Sequence, residues 1–451
     1  MKSENLPAPA EEKLDFKKVL PIFVVVLVSM LGLTVIIPLM PLYAASFGAS
    51  ASAIGLLGAV YPAAQFFGAP FLGRLSDRFG RKPVLLVSQL GSLTGFLLLG
   101  AANGLTMLFI ARLIEGLSGA NISTAQAAIS DSTTPKTRTQ GLGLIGAAFG
   151  IGFVFGPVIA FISLALSRDN FHVPAFVAAS FVLISILLTW LWLPETHPAE
   201  KRSQAAGQAR SPFTFKALKA AFSRPLVGLL LASMFFQQLA FGSFQQILSL
   251  FTLNRLGLDA SGNAIIFVFV GVLVVAVQGY FIGRWSRKYG EAWLLRAGLA
   301  LLTLGLILVA LTPQQAVPWY SQAAVEAKLS ASHSLPGETP PTQNVQIPLP
   351  AEANRGVLGL GWLLLAMVPV AFGGGVLQPS VNSLLTRQVE AHEMGGTLGL
   401  SAAMLSAANA FAPLLGGILF QYLGAPAPYF TSALITAILW VLIQKPLKQA
   451  G

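Results

Sequence analysis

Glu115 and Arg112 stand three residues apart inside an apolar stretch that runs from about 104 to 131. On a helix that spacing puts both side chains on one face, so carboxylate and guanidinium can pair. The chemistry open to such a pair is reversible protonation, with Arg112 stabilising the charged form of Glu115 in one state and Glu115 exchanging a proton in another. The other sixteen of the seventeen Asp and Glu residues fall in tails, loops or the ends of apolar runs. A purely structural ion pair is the alternative reading, because interior pairs also position helices. Nucleophilic and metal chemistry have no foothold. The chain contains no cysteine, its four histidines lie in loops or at helix ends, and no His-Glu-x-x-His pattern occurs. A membrane-embedded hydrolase is therefore unsupported, and neither a metal nor a cofactor is expected.

The elements that must hold these residues are long and apolar. Of 451 residues 55% are hydrophobic and 10% charged. Twelve runs are long enough to read as membrane-crossing helices, at about 18–46, 50–72, 83–102, 104–131, 139–166, 172–193, 225–252, 262–283, 292–312, 356–386, 394–420 and 427–444. Continuous apolarity predicts helices, since barrel strands would be short and alternating. The expected fold is an all-α integral membrane protein in a lipid bilayer, with twelve transmembrane helices. Counted from Gly104 at ~1.5 Å per residue, Glu115 lies roughly 16 Å into a core ~30 Å thick. A charge there costs roughly 2.5–3.5 kcal/mol and normally has a function.

A net charge of +11 could indicate nucleic acid, but the placement of the bases argues otherwise. With the N-terminus inside, 23 of the 28 Lys and Arg residues fall on the cytoplasmic side. That asymmetry predicts both termini in the cytoplasm and explains the excess charge as topology. The polar residues 1–17 lack the pattern of a cleaved signal and read as a cytoplasmic tail.

The organisation is a duplication. Residues 119–161 align without gaps, at an offset of 256, with 375–417, placing Gly143 on Gly399 and Pro157 on Pro413. "GRLSDRFGRK" (73–82) has an echo in "GRWSRKYGEA" at an offset of only 210. The difference matches a polar, Pro-rich segment at about 313–355, expected to be an inserted mobile loop on the extracytoplasmic side. The expected units are a tail 1–17, a six-helix bundle 18–193, a basic cytoplasmic linker 194–224, a second bundle 225–444 carrying the insert, and a tail 445–451. Within the linker, "FTFKALKAAF" reads as an amphipathic stretch on the inner surface. Two such halves are the architecture of many secondary transporters, whose substrate site lies between the repeats.

"GRLSDRFGRK", expected in a loop between the second and third runs, fits G-x-L-x-D-R-x-G-R-K at every defined position and resembles the signature of the major facilitator superfamily. Gly73 and Gly80 are expected to allow a tight turn and close approach. The resemblance implies a gate in which Asp77 contacts the start of the eleventh helix, Arg81 pairs with Asp131 at the end of the fourth, and Arg78 belongs to the same cluster. The second copy has Arg287 for Asp77 and Glu291 for Arg81, so this gate is expected on one side only. "LGLTVIIPLMP" (31–41), "LFIARLIEGLSGA" (108–120) and Gly143, Gly152, Gly156 and Pro157 resemble three further signatures of the twelve-helix drug/proton antiporter branch, the last being linked to antiport.

That resemblance implies proton-coupled efflux of a small amphipathic organic molecule across the cell membrane by alternating access, with a monomer expected and no enzyme activity. An uptake symporter or an uncoupled facilitator on the same fold is the alternative, because coupling rather than fold sets direction. Tetracycline antiporters carry an acid where this chain has Ser29, so tetracycline is not the expected substrate. Candidate cavity residues are Ser123 and Gln126 in a polar stripe with Arg112, Gln237, Gln238, Phe241 and Gln245 on helix seven, and Gln65, Gln378 and Asn382. Amides with aromatics and one acid suit a neutral or cationic amphipathic substrate.

Overall fold

Prolines, glycines and capping side chains set where the apolar runs begin, break and end. The computed structural model describes residues 15–119, 121–134, 137–167, 169–198, 200, 219, 221–331, 347–389 and 394–449. The tail before residue 15, nearly all of the amphipathic linker stretch and the middle of the insert therefore lie outside the described residues. The first half comprises α1 (Phe16–Ile36), α2 (Met40–Ser46), α3 (Ala51–Phe79), α4 (Arg81–Gly100), α5 (Leu105–Leu117), α6 (Asn121–Ser132), α7 (Arg138–Ser167) and α8 (His172–Leu191). The second comprises α9 (Pro225–Leu256), α10 (Ala260–Ala276), a π-helical turn (Val277–Phe281), α11 (Ile282–Tyr289), α12 (Glu291–Ala310), α13 (Gln322–Ala331), α14 (Leu358–Arg387), α15 (Met394–Leu423) and α16 (Ala427–Gln449).

Twelve spans among the described residues are long and apolar enough to cross a membrane. In the first half α1 packs on α7 and α8, and α4 on α5 and α8; in the second α9 packs on α15 and α16, and α12 on α14 and α16. The halves meet along α3 with α15 and α7 with α10. The neighbour pattern is thus the same twice, as a duplication requires.

Several expectations need correction. The run 18–46 is two helices, because Pro38 and Pro41 interrupt the hydrogen-bond ladder and α2 restarts with Pro41 in its first turn. The run 104–131 is also divided, between Leu117 and Asn121. "GRLSDRFGRK" is not a loop: α3 continues to Phe79 and Gly80 alone separates it from α4. Gly80 holds φ 106° and ψ 163°, open to glycine and costly for any other residue, and Gly290 repeats this with φ 78° and ψ 158°. A Cβ on Gly73 would meet nothing within 4 Å, so no close approach occurs there. The insert is not simply a loop either. It contains α13 and buries Val317, Tyr320, Val325, Leu329 and Ile347 in the main apolar core, and a bridge between Ala316 and Arg355 closes its base.

The contacts that join the halves gather toward the end of the bundle opposite the termini, termed the far end. Gln421 accepts the Ala51 amide at 3.0 Å, the Ser249 hydroxyl donates to the Pro38 carbonyl at 2.9 Å, and Gly55 of α3 lies so close to Gly417 of α15 that a Cβ would collide with the Pro413 carbonyl. Nearer the terminal end, Gln126 and Gln378, one from each half, are exposed.

Candidate functional site

The Arg112–Glu115 pair sits in the last two turns of α5, just before the chain breaks. Guanidinium and carboxylate are 2.5 Å apart, and both side chains are buried. The Arg112 guanidinium lies 4.5 Å from the centre of the Tyr61 ring, a cation–π contact that helps an ion in a poorly solvated place. Glycines let the neighbouring helices approach. A Cβ on Gly95 would come within 2.9 Å of Glu115 Cβ, and one on Gly116 within 2.5 Å of the Tyr61 carbonyl oxygen.

A helix that stops inside a protein leaves carbonyls to be satisfied. Here Gln65 Nε2 donates to the Gly119 carbonyl at 2.7 Å, and the Ser88 hydroxyl donates to the Ser118 carbonyl. The broken fourth span is therefore held open by α3 and α4. Beside it is a cavity of about 20 Å³ with Ser29, Tyr61, Gln65, Ser92 and Glu115 among its polar lining and Met30, Leu33, Phe96 and Val182 among its apolar lining. That is room for about one water molecule. Ser29 shares a 2.8 Å hydrogen bond with Ser185, which Gln89 also contacts at 2.8 Å. The arrangement is a buried carboxylate, ion-paired on one side and bordering on the other a water-sized space of mixed polar and apolar lining, which suits proton transfer.

The other cavity candidates do not converge there. Ser123 and Gln126 follow the break on α6, so the expected polar stripe is interrupted. Gln237 is buried, with Nε2 3.8 Å from the Met234 sulfur, while Gln238 Nε2 donates to Asn409 at 2.7 Å. Phe241 rests against Phe244, ring centres 5.7 Å apart, and against Gly374. Gln245 is half-buried. Its neighbour Gln246, not among the expected residues, reaches Gly58 across the halves. Asn382 accepts from Ser401 at 3.2 Å, and Gln378 is exposed.

At the terminal end, Arg81 gathers the expected gate residues. Its Nε donates to Asp131 at 2.8 Å, and one terminal nitrogen donates to Asp77 at 2.6 Å and to Ser76 at 3.0 Å. Arg78 is exposed over the Phe79 ring. The start of the eleventh span, the expected partner of Asp77, lies at the edge of the described residues. Sequence reasoning missed Glu195, whose carboxylate accepts the Arg81 and Lys82 amides at 2.9 and 3.2 Å and so caps α4. An acid directly after the sixth span marks the position in the sequence, but not the helix start that it caps.

The second half carries a charge-exchanged counterpart of the Arg81–Asp131 pair. At the repeat offsets Arg81 corresponds to Glu291 and Asp131 to Arg387, and these two face each other at 3.4 Å with their charges exchanged. Glu291 also accepts from Ser286 at 2.8 Å and from Ser383 at 3.2 Å.

In α7, a Cβ on Gly152 would lie 3.2 Å from Met30 and one on Gly156 2.7 Å from the Thr34 backbone, so these glycines seat α7 on α1. Pro157 falls inside the same helix, and Gly143 makes no close contact.

Known proteins resemble this chain in sequence and in fold. The chain is 27% identical over 402 residues to the class B tetracycline resistance protein of Escherichia coli, covering 88% of this chain and 87% of that protein. It is 27% identical over 412 residues to multidrug resistance protein 1 of Bacillus subtilis (strain 168), covering 91% of each. Among solved structures, the human organic anion transporter MFSD10 (TETRAN) superposes over 96% of this chain and 100% of its own, with a TM-score of 0.63 at 23% identity, a likeness of fold. The Major Facilitator Superfamily model matches residues 22–334 and 355–449, and with both halves, their shared neighbour pattern and the Arg81 cluster in place, the chain belongs to that family of transporters and is not an enzyme.

Proposed function

We propose that this transporter moves a small amphipathic organic compound outward across the cell membrane in exchange for protons, with both termini in the cytoplasm and Glu115 as the proton carrier. The observation that carries the proposal is the buried Arg112–Glu115 pair beside a water-sized cavity and a broken helix. A broken span at mid-membrane is a recurrent way of building an ion or substrate site in secondary transporters. The relatives named for tetracycline and multidrug resistance support an efflux role, and the positive-inside count supports the orientation. In that orientation the far end, where the halves are joined, is outside, and the exposed Gln126 and Gln378 lie toward the cytoplasmic end.

The test uses proteoliposomes and a fluorescent lipophilic cation such as ethidium. Glu115→Gln keeps shape and hydrogen bonding while removing the proton site. Dye counterflow down its own gradient should survive, and dye accumulation driven by a pH gradient should vanish. Unchanged pH-driven accumulation would overturn the assignment, leave only peripheral acids, and make an uncoupled facilitator the better account.

A further inference from the structure

The insert carries a charge that crosses the seam between the halves. Its base is fastened to the second half: the Val317 amide donates to the Leu256 carbonyl at 2.9 Å, Asn254 donates to the Pro348 carbonyl at 2.8 Å, and Ala316 and Gly356 pair with Asn354 and Ala316. From that base α13 reaches over the far end and packs against α2 of the first half. Its Lys328 Nζ sits 2.6 Å from Asp169, which follows α7 of the first half, and 2.7 Å from Asp259, which caps α10 of the second.

Asp169 is fixed in place. Its amide donates to the Leu164 carbonyl at 2.9 Å, and its backbone takes φ 61°, a left-handed geometry that aspartate tolerates at a helix end. Its second carboxylate oxygen accepts the Ser261 hydroxyl at 2.5 Å, another bond across the seam. Burial works against the charge on Lys328, but the hydrogen bonds and charges of Asp169 and Asp259 outweigh it and raise its pKa above the ordinary lysine value. The ammonium is thus held charged at neutral pH.

We propose that Lys328 is the pin of an outer gate, a gating residue supplied by the insert that joins Asp169 of the first half to the second half and holds the far end closed. Calling this end outer rests on the orientation proposed above. When alternating access opens the far end, α13 moves with the second half, to which its base is bound, and the Lys328–Asp169 bond breaks while Lys328–Asp259 persists. The insert thereby sets how often the transporter opens outward, independently of which ion drives it.

The absence of cysteine from the chain gives a clean assay. Ser249→Cys places one thiol at the closed seam, where Ser249 now bonds Pro38. Its rate of labelling by a membrane-impermeant maleimide reports opening, and applying reagent to either face of oriented vesicles reports separately which side the seam opens to. With Lys328→Gln added, labelling should accelerate about three- to tenfold, as expected when a partly exposed charged bond is lost from one of two states. Lys328→Arg should keep the slow rate. Asp169→Asn should match Lys328→Gln, and the two together should be no faster than either alone. Asp259→Asn, which breaks a bond within one half and retains a helix cap, should stay within about twofold of the parent. An unchanged rate in Lys328→Gln, additive effects of Lys328→Gln and Asp169→Asn, or an equal acceleration in Asp259→Asn would overturn the proposal. Acceleration seen only with reagent on the opposite face would reject the orientation and leave the pin intact.

Discussion

Arg81 holds two carboxylates that differ in solvation. Its side chain is 4% exposed, Asp131 is 19% exposed and Asp77 is 45% exposed. Removing one partner of a buried pair strands the other charge, whereas a half-exposed partner is replaced by water. Asp131→Asn should therefore destabilise the protein by roughly 3 kcal/mol, read as a lower Tm in detergent. Asp77→Asn should cost under about 1 kcal/mol; as the gate residue its motif implies, it would bias a conformational equilibrium, so the variant should slow turnover while leaving dye affinity unchanged. The pairing of Arg81 with Asp131 was legible from a signature motif. Glu195 was not, because a capping role depends on where the chain returns in space, which spacing along the sequence does not encode.

The two breaks in the first half illustrate what composition hides at the level of elements. Apolar length shows that a segment crosses the membrane, and all twelve crossings were readable in that way. Where a crossing breaks is decided by partners on other helices. At Ser118–Gly119 those partners are Ser88 and Gln65. Gln65→Leu should leave the Gly119 carbonyl without a donor and cost about 1–3 kcal/mol, and the loss should be smaller for Gln65→Glu when that carboxyl is protonated. The insert makes the same point from the opposite direction. A polar, proline-rich stretch reads as a loop, yet α13 contributes Val325 and Leu329 to the core, and Tyr320 and Ile347 flank it. A deletion of 318–350, harmless for a loop, should here lower Tm markedly, since each buried side chain of that size is worth about 1.5–3 kcal/mol.

Across the whole molecule the two copies solve one problem with opposite charges. Arg81 begins α4, where the helix dipole disfavours a cation, and Glu195 offsets this by taking the amides of the first turn. In the second copy Glu291 begins α12 and is itself the acid the helix end prefers, with its carboxylate engaged by Ser286, Ser383 and Arg387. Equivalent positions should then carry unequal weight. Arg387 is 64% exposed, so Arg387→Ala should cost under about 1 kcal/mol, against roughly 3 kcal/mol for Asp131→Asn. Glu195→Gln should cost about 1 kcal/mol, and thermal melts of the three variants side by side check the order. The copies diverge more deeply at mid-membrane. Carrying the repeat offset upstream places Ala371 where the first copy has Glu115, and Ala371 is fully buried. With Glu115 as the proton carrier proposed above, the driving ion is handled in one half alone, and substitutions in the other would leave energy conversion undisturbed. On that reading a lineage of such transporters would acquire new cargoes by mutation of its second half while inheriting its engine unchanged.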